Sequence, residues 1–311
     1  MDELFARRPK GFETLSLHEP TGRIVPRAVL DVVENGVKPV FTLTTAAGKK
    51  VVATGNHPFL TRTGWKNLEE LSPGEEIATP RRLPLPRGAS WPRHKLVALA
   101  ALTAGKVERR ADGLEIRLGS EALAADFEQA ARAFRRTASD CEGRDVGVRS
   151  PEPFVAAGAS AALQHRPEVC GMQEWAQAHG LLPMRQLPAD LLAARDADLE
   201  LFLGRLWSAV GTLSKAPLLR VPEEAIARDV QHLFDRLGIA TRLRRGSTSW
   251  KLELDGGDAL ERFHHQVGPH LVGRDAERKG MAELLLSRRR SPAPEGDVRW
   301  DEVASIEPAG E

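Results

Sequence analysis

Between Ile24 and Ile77, hydrophobic residues come in short runs separated by turn formers, the pattern of strands rather than helices. Ile24-Val25 and Leu30-Asp31-Val32-Val33 lead into Glu34-Asn35-Gly36, and an Asn-Gly pair predicts a hairpin turn because both residues tolerate positive φ. The runs at residues 40–44 and 50–54 flank Ala47-Gly48, which predicts a second hairpin. Pro58-Phe59-Leu60 is followed by a turn at Thr63-Gly64-Trp65, and Ser72-Pro73-Gly74 precedes a further run, Glu75-Glu76-Ile77-Ala78. The predicted unit is a compact all-β module.

The pattern changes at Pro80-Arg81-Arg82-Leu83-Pro84-Leu85-Pro86-Arg87-Gly88, where proline density excludes both helix and central strand and marks a domain boundary. Beyond it, helical periodicity covers residues 96–104 and 121–134, with an alternating strand at 114–118 between them. A second set follows: helices at 199–209 and 223–237, a short strand around Leu218-Leu219, strands at 241–244 and 250–254, and closing helices at 259–267 and 276–286. This region is predicted α+β, in two imperfect copies of one unit. Ser291-Pro292-Ala293-Pro294-Glu295-Gly296 is a second linker, and residues 298–306 return to β character. A β module, a long α+β stretch and a return to β describe one domain inserted into another: residues 1–84 and 291–311 on either side of 85–290.

Composition narrows the choices only a little. Charged residues make up 28% and hydrophobic residues 41% of 311, with a formal net charge of +1, so no global basic field points to nucleic acid. Positive charge is local, in Arg242-Leu243-Arg244-Arg245 and Arg288-Arg289-Arg290. Cys141 and Cys170 form no C-x-x-C pair and have no histidine at ligand spacing, which predicts buried thiols and no metal site. No apolar stretch approaches the roughly 18 residues of a membrane span, and no signal pattern opens the chain, so a cytoplasmic protein without a membrane partner is expected.

The sharpest motif is Thr54-Gly55-Asn56-His57-Pro58-Phe59-Leu60-Thr61, followed by Gly64-Trp65 and Leu71-Ser72-Pro73-Gly74-Glu75. With Arg23-Ile24-Val25-Pro26 and Gly36-Val37-Lys38-Pro39-Val40-Phe41 upstream and residues 300–306 downstream, it resembles inteins of the bacterial replicative DNA helicase and DNA polymerase type, whose splicing domain is the all-β Hint fold. In that family the Thr and His of this block serve the first acyl shift. The resemblance therefore implies that Thr54 orients the scissile peptide and His57 polarises or protonates its nitrogen. Asn56 is expected to hold the loop through side-chain to backbone bonds. The family begins with a Cys or Ser nucleophile and ends with a cyclising Asn. Here Met1-Asp2-Glu3-Leu4-Phe5 matches the family some way inside its N-terminus, and the asparagines are Asn35, Asn56 and Asn67. An incomplete intein, not competent alone, is expected: a split piece, a trimmed fragment or a decayed remnant. Its partners would be host-protein flanks (exteins) or complementary intein fragments.

In the family the insert is a LAGLIDADG (DOD-type) homing endonuclease, in which two closely packed helices each end in a metal-holding Asp. Residues 85–290 resemble it, with small-residue seams at Ala98, Ala101 and Gly105 and at Gly204, Ser208 and Gly211. Leu206-Trp207-Ser208-Ala209-Val210-Gly211 stands against the family's L-W-x-x-D-G, so Val210 occupies the place of the acid; in the first copy Lys106 or Gly105 does. Neither offers Mg²⁺ a hard oxygen ligand. The expected fold is thus an all-β Hint module interrupted by a degenerate LAGLIDADG-like α+β domain, with no cofactor unless an active endonuclease uses Mg²⁺. Arg242, Arg244, Arg245 and Lys251 lie on or beside likely strands and are candidates for contact with double-stranded DNA. A DNA-binding protein derived from the endonuclease, and an active metal-dependent endonuclease, are the alternative readings to splicing.

Overall fold

In a computed structural model, residues 12–33, 36–84, 88–104, 107–110, 113–135, 145–149, 172–213, 217–287 and 296–310 are described. Two units separate by their contacts, residues 1–84 with 291–311 and residues 85–290. Gly105, Lys106, Cys141, Cys170 and the arginines at 288–290 lie outside the described residues.

The first unit opens with β1 (Glu13–His18) and β2 (Arg23–Ala28), an antiparallel ribbon turned by the 3-10 segment Glu19–Thr21. β1 was not predicted, and its pairing explains a correction. β2 folds back on β1, so residues 30–33, expected as a strand, enter none; Leu30 is 97% and Val33 74% exposed, and Asn35 of the expected turn is outside the described residues. Hydrophobic, β-branched residues favour a strand only where a neighbour accepts their backbone bonds. β3 (Val40–Thr45) and β4 (Lys50–Thr54) form the second predicted hairpin, with Gly48 at φ 81° in the turn, a conformation that a Cβ would strain. β5 (Pro58–Thr61) pairs with β6 (Gly64–Asn67), the 3-10 turn Leu68–Glu70 follows, and β7 (Glu76–Pro80) completes this part.

The second unit starts with α1 (Arg93–Thr103), buried on every side from Leu96 onward, as a helix apolar all round must be. β8 (Val107–Arg110) and β9 (Gly113–Arg117) are antiparallel, α2 (Glu121–Arg135) follows, and β10 (Asp145–Arg149) lies parallel to β9. Then come α3 (Met172–Ala178), α4 (Ala189–Leu192) and α5 (Asp196–Val210), which runs against α1. β11 (Gly211–Thr212), β12 (Leu218–Val221), α6 (Glu224–Leu237), β13 (Thr241–Arg245) and β14 (Trp250–Leu254) follow in order. Their all-antiparallel sheet has the order β11-β12-β14-β13. α7 (Gly257–Gln266), a 3-10 turn at Gly268–His270 and α8 (Asp275–Leu286) end the unit. α6 shows why these segments are helical: Ile226, Ala227, Val230, Leu233, Phe234 and Leu237 fall on one stripe and are buried, and Gly238 at φ 72° ends the helix with a left-handed cap. Trp207 fills the centre, its ring 4.5 Å from that of Phe263 and 5.9 Å from that of Phe234.

The helix seam is only partly as expected. A Cβ at Gly204 would come within 2.5 Å of His270 Cβ, and Ser208 Oγ donates to Gly204 O (2.7 Å) while accepting from Val272 N (2.9 Å). These small residues make room for the turn after α7, not for α1. Toward α1 and α2 the helix presents Arg205 and Ala209, beside Val97, Ala100, Ala101 and Phe127. Arg205 pairs there with Asp126 at 2.7 Å, both side chains about nine-tenths buried. Periodicity marked a small-residue face; it could not say which neighbour needed it.

The chain then returns to the first unit as β15 (Val298–Gly310), longer than the predicted 298–306. Its first half pairs antiparallel with β7 and its second half with β3, across a register shift between Val303 and Ser305. The six strands take the order β4-β3-β15-β7-β5-β6. Val303 is fully buried against Leu43, Leu68, Leu71 and Ile77, the small core of this unit. Asp297 stitches the re-entry: its N–H donates to Gly22 O (2.7 Å), its carbonyl accepts from Arg81 N (2.6 Å) and its carboxylate accepts from Ile24 N (2.9 Å).

Burial, then Lys95, lowers the pKa of His94 on α1 from its ordinary 6.5; burial, then His265 and Arg278, does the same for His264 on α7. A histidine whose folded pKa is depressed binds fewer protons folded than unfolded. Its contribution is therefore complete above the unfolded value and declines as pH falls from about 6.5 toward the folded one. The denaturation midpoint of residues 85–290 should fall over that window, and His94→Gln combined with His264→Gln should flatten the dependence.

Candidate functional site

Thr54 ends β4, Pro58 begins β5, and the three residues between them form a tight exposed turn closed by His57 N to Thr54 O at 3.0 Å. The next 3-10 turn grips it from outside: Leu68 N donates to His57 O and Glu69 N to Gly55 O, both at 2.9 Å. That 3-10 turn is itself anchored, because Leu68 is in the core and Asn67 and Glu70 form a capping box in which Asn67 N donates to Glu70 Oε2 at 2.7 Å. A Cβ on Gly55 would sit 2.9 Å from Glu69 Oε2, so a side chain at 55 would displace the glutamate. Thr54 Oγ1 donates to Asn56 Oδ1 at 2.8 Å. Asn56 thus holds a side chain, correcting the expected tie to backbone; the backbone bonds of the turn come from residues 54, 68 and 69. The His57 ring stands edge-on to Phe59, centroids 5.3 Å apart, and among the described residues no side chain hydrogen-bonds to it. The turn therefore presents an oriented hydroxyl and an exposed imidazole.

In the other unit, the cross-strand register sorts the candidate arginines. Lys251 on β14 lies directly opposite Arg220 on β12 and Arg244 on β13, so the three share one face in a row across the sheet. Arg220 and Arg244 are exposed and Lys251 is half-buried. Arg242 lies opposite Glu253 and pairs with Asp255 at 2.9 Å, which largely neutralises it. Arg245 is exposed at the strand end, opposite Trp250. Arg220 was missed because a strand seen only as Leu218-Leu219 has no readable register. Val210 is the last residue of α5, packed against the core, and Lys106 is outside the described residues. Among the described residues no group of three or more His, Cys, Asp or Glu is placed to hold a metal ion, and no helix is long and apolar enough to cross a membrane.

The family model of the intein splicing domain matches residues 1–311. The chain belongs to the inteins. The replicative DNA helicase DnaB of Rhodothermus marinus is 27% identical over 307 residues, covering 91% of this chain and 32% of that protein. That of Nostoc sp. is 27% identical over 283 residues, covering 83% of this chain and 31% of its own length. The chain thus spans about a third of the length of these relatives. A DnaB intein from Synechocystis sp. is similar among solved structures, at 41% identity and a TM-score of 0.25 over 26% of this chain and 55% of that one. As an intein the chain is a protein-splicing element.

Glu70 and Asn67 act on the Thr54–His57 turn at one remove, by fixing the amides that hold it. Asn67→Ala should cost about 1 kcal/mol of local stability, the usual loss for a helix cap. Amide exchange at Leu68 and Glu69 should accelerate together while exchange within α6 is unchanged.

Proposed function

We propose that Thr54 and His57 activate the peptide bond at the upstream splice junction for the first acyl shift of splicing. The observation that carries this reading is the turn itself, with hydroxyl and imidazole three residues apart on one turn closed by a 3.0 Å backbone bond and exposed to an incoming peptide. The nucleophile of an intein attacks the carbonyl before it, a new C–O or C–S bond forms and the C–N bond breaks. The departing nitrogen needs a proton, which the His57 imidazole is able to deliver. Thr54, its own proton engaged by Asn56, keeps its oxygen lone pairs for the peptide N–H and so orients the bond. No cofactor enters this step. With complementary segments carrying the nucleophile and the terminal asparagine supplied in trans, His57→Ala should lower the rate of upstream junction cleavage by about 10²–10⁴-fold, the range for a positioned acid–base group. Thr54→Val should lower it by less. Unchanged cleavage in His57→Ala would remove the histidine from the mechanism.

For residues 85–290 the reading is a degenerate LAGLIDADG-like endonuclease body, with Val210 and Lys106 at the positions of the two acids and Mg²⁺ needed only if cleavage survived. The basic row favours a second activity for this unit, contact with the phosphates of double-stranded DNA. Three cations across adjacent strands repel one another, a cost that a polyanion offsets. Gel shifts of the full chain across a salt series test this: Arg220→Ala and Arg244→Ala should each reduce the slope of log affinity against log salt by about 1, equally on all sequences. A slope unaltered by both would dismiss the row as a DNA contact.

A further inference from the structure

The endonuclease reading of residues 85–290 calls for a divalent cation at the carboxyl end of α5, and the residues there do not fit one. Val210 supplies no ligand. A second feature lies outside the motif altogether: Arg274, just before α8, turns its guanidinium onto the end of α5. Its Nη2 donates to Ser208 O and to Gly211 O, both at 3.2 Å, on either side of Val210. Its Nη1 donates to both carboxylate oxygens of Glu277, at 2.9 and 3.1 Å. The last carbonyls of a helix carry the negative end of its dipole and are the hard oxygens that a divalent ion would seek. Space is available beside them: a cavity of about 340 Å³ is lined by Gly119, Ser120, Ser208, Gly273, Arg274 and Glu277, among others. Charge, not room, decides what can sit there.

We infer that Arg274 is the resident cation of this site, so that metal is excluded twice: by the missing acid at 210 and by a guanidinium already bound to the carbonyls around it. Arginine suits the place because its fork reaches two carbonyls and a carboxylate at once. It also ties the segment after the Gly268–His270 turn to α5 by hydrogen bonds that a diffusible ion would not supply. The inference rests on the endonuclease reading and adds to it that restoring the acids alone does not restore the metal site. A new carboxylate at 210 would pair with Arg274 instead.

The test uses the full chain and Mn²⁺ alone, with binding read by electron paramagnetic resonance and folding checked by circular dichroism. The background variant carries Lys106→Asp and Val210→Asp, returning both acids. Adding Arg274→Gln should tighten Mn²⁺ binding by at least about tenfold, whereas adding Arg274→Lys, which keeps the charge, should not. Equal binding with and without Arg274→Gln would overturn the role of Arg274 and leave the endonuclease reading standing. Binding in none of the variants would overturn that reading, and the inference with it. If Arg274→Gln disturbs the fold, the lysine variant decides: Mn²⁺ bound as tightly there as calcium-type oxygen sites bind their ions would show that a cation at 274 does not exclude metal.

Discussion

The first unit depends on the backbone hydrogen bonds of β15. Without that strand, β3 and β4 are an isolated hairpin, and β5, β6 and β7 are a separate small sheet; β15 accepts β7 along one half and β3 along the other. A lone hairpin is marginal in water, and the hydrophobic core here is only Leu43, Leu68, Leu71, Ile77 and Val303 with a few half-buried neighbours. The strand that joins the halves comes from the far side of the second unit in sequence. Asp297 and the Gly22–Gly296 approach set where it re-enters, with Gly296 so near Gly22 O that a Cβ there would lie 2.9 Å away. An insertion of some two hundred residues is tolerated at this place because the strands on either side, β7 and β15, are hydrogen-bonded neighbours.

The Thr54–His57 turn inherits its rigidity from that arrangement. Leu68 is part of the same core, and from it the 3-10 turn holds out two amides to the carbonyls of residues 55 and 57. His57 stays exposed and Thr54 half-buried, both held through their backbone rather than by packing. The backbone is preorganised, and no side-chain hydrogen bond has to be broken to free the imidazole.

The second unit shows the reverse emphasis. Its core is large and aromatic, with Trp207 packed against Phe263, and its charged groups serve mostly to tie elements together, as Arg205 does with Asp126 and Arg236 with Leu192 O and Ala194 O. Such a core fixes the shape of this unit independently of what its surface does. On its surface stands the row of Arg220, Lys251 and Arg244 on one sheet face.

Much of this was legible in order along the chain. The hairpin at Ala47-Gly48, the helices α1, α2, α5 and α6, the strands β13 and β14 and the Thr54–His57 block are all local: periodicity, turn formers and motif spacing act over a few residues, and the chain carries them without a partner. Strand pairing is not local, and there reading along the chain failed. Residues 30–33 have the composition of a strand but no neighbour, whereas β1 was unremarkable and found one in β2. Gly204 looked like a helix-pairing residue and instead admits His270; Arg220 gained its neighbours from register, and Arg274 reached α5 from a turn some sixty residues away. By itself the sequence determined the family, the place of the Thr54–His57 motif and most of the helices, because those follow from the identity and spacing of nearby residues. Only the tertiary structure decided which charges meet, which cation sits at the end of α5 and which strand holds the sheet together, because those depend on distances that close only when the chain has folded.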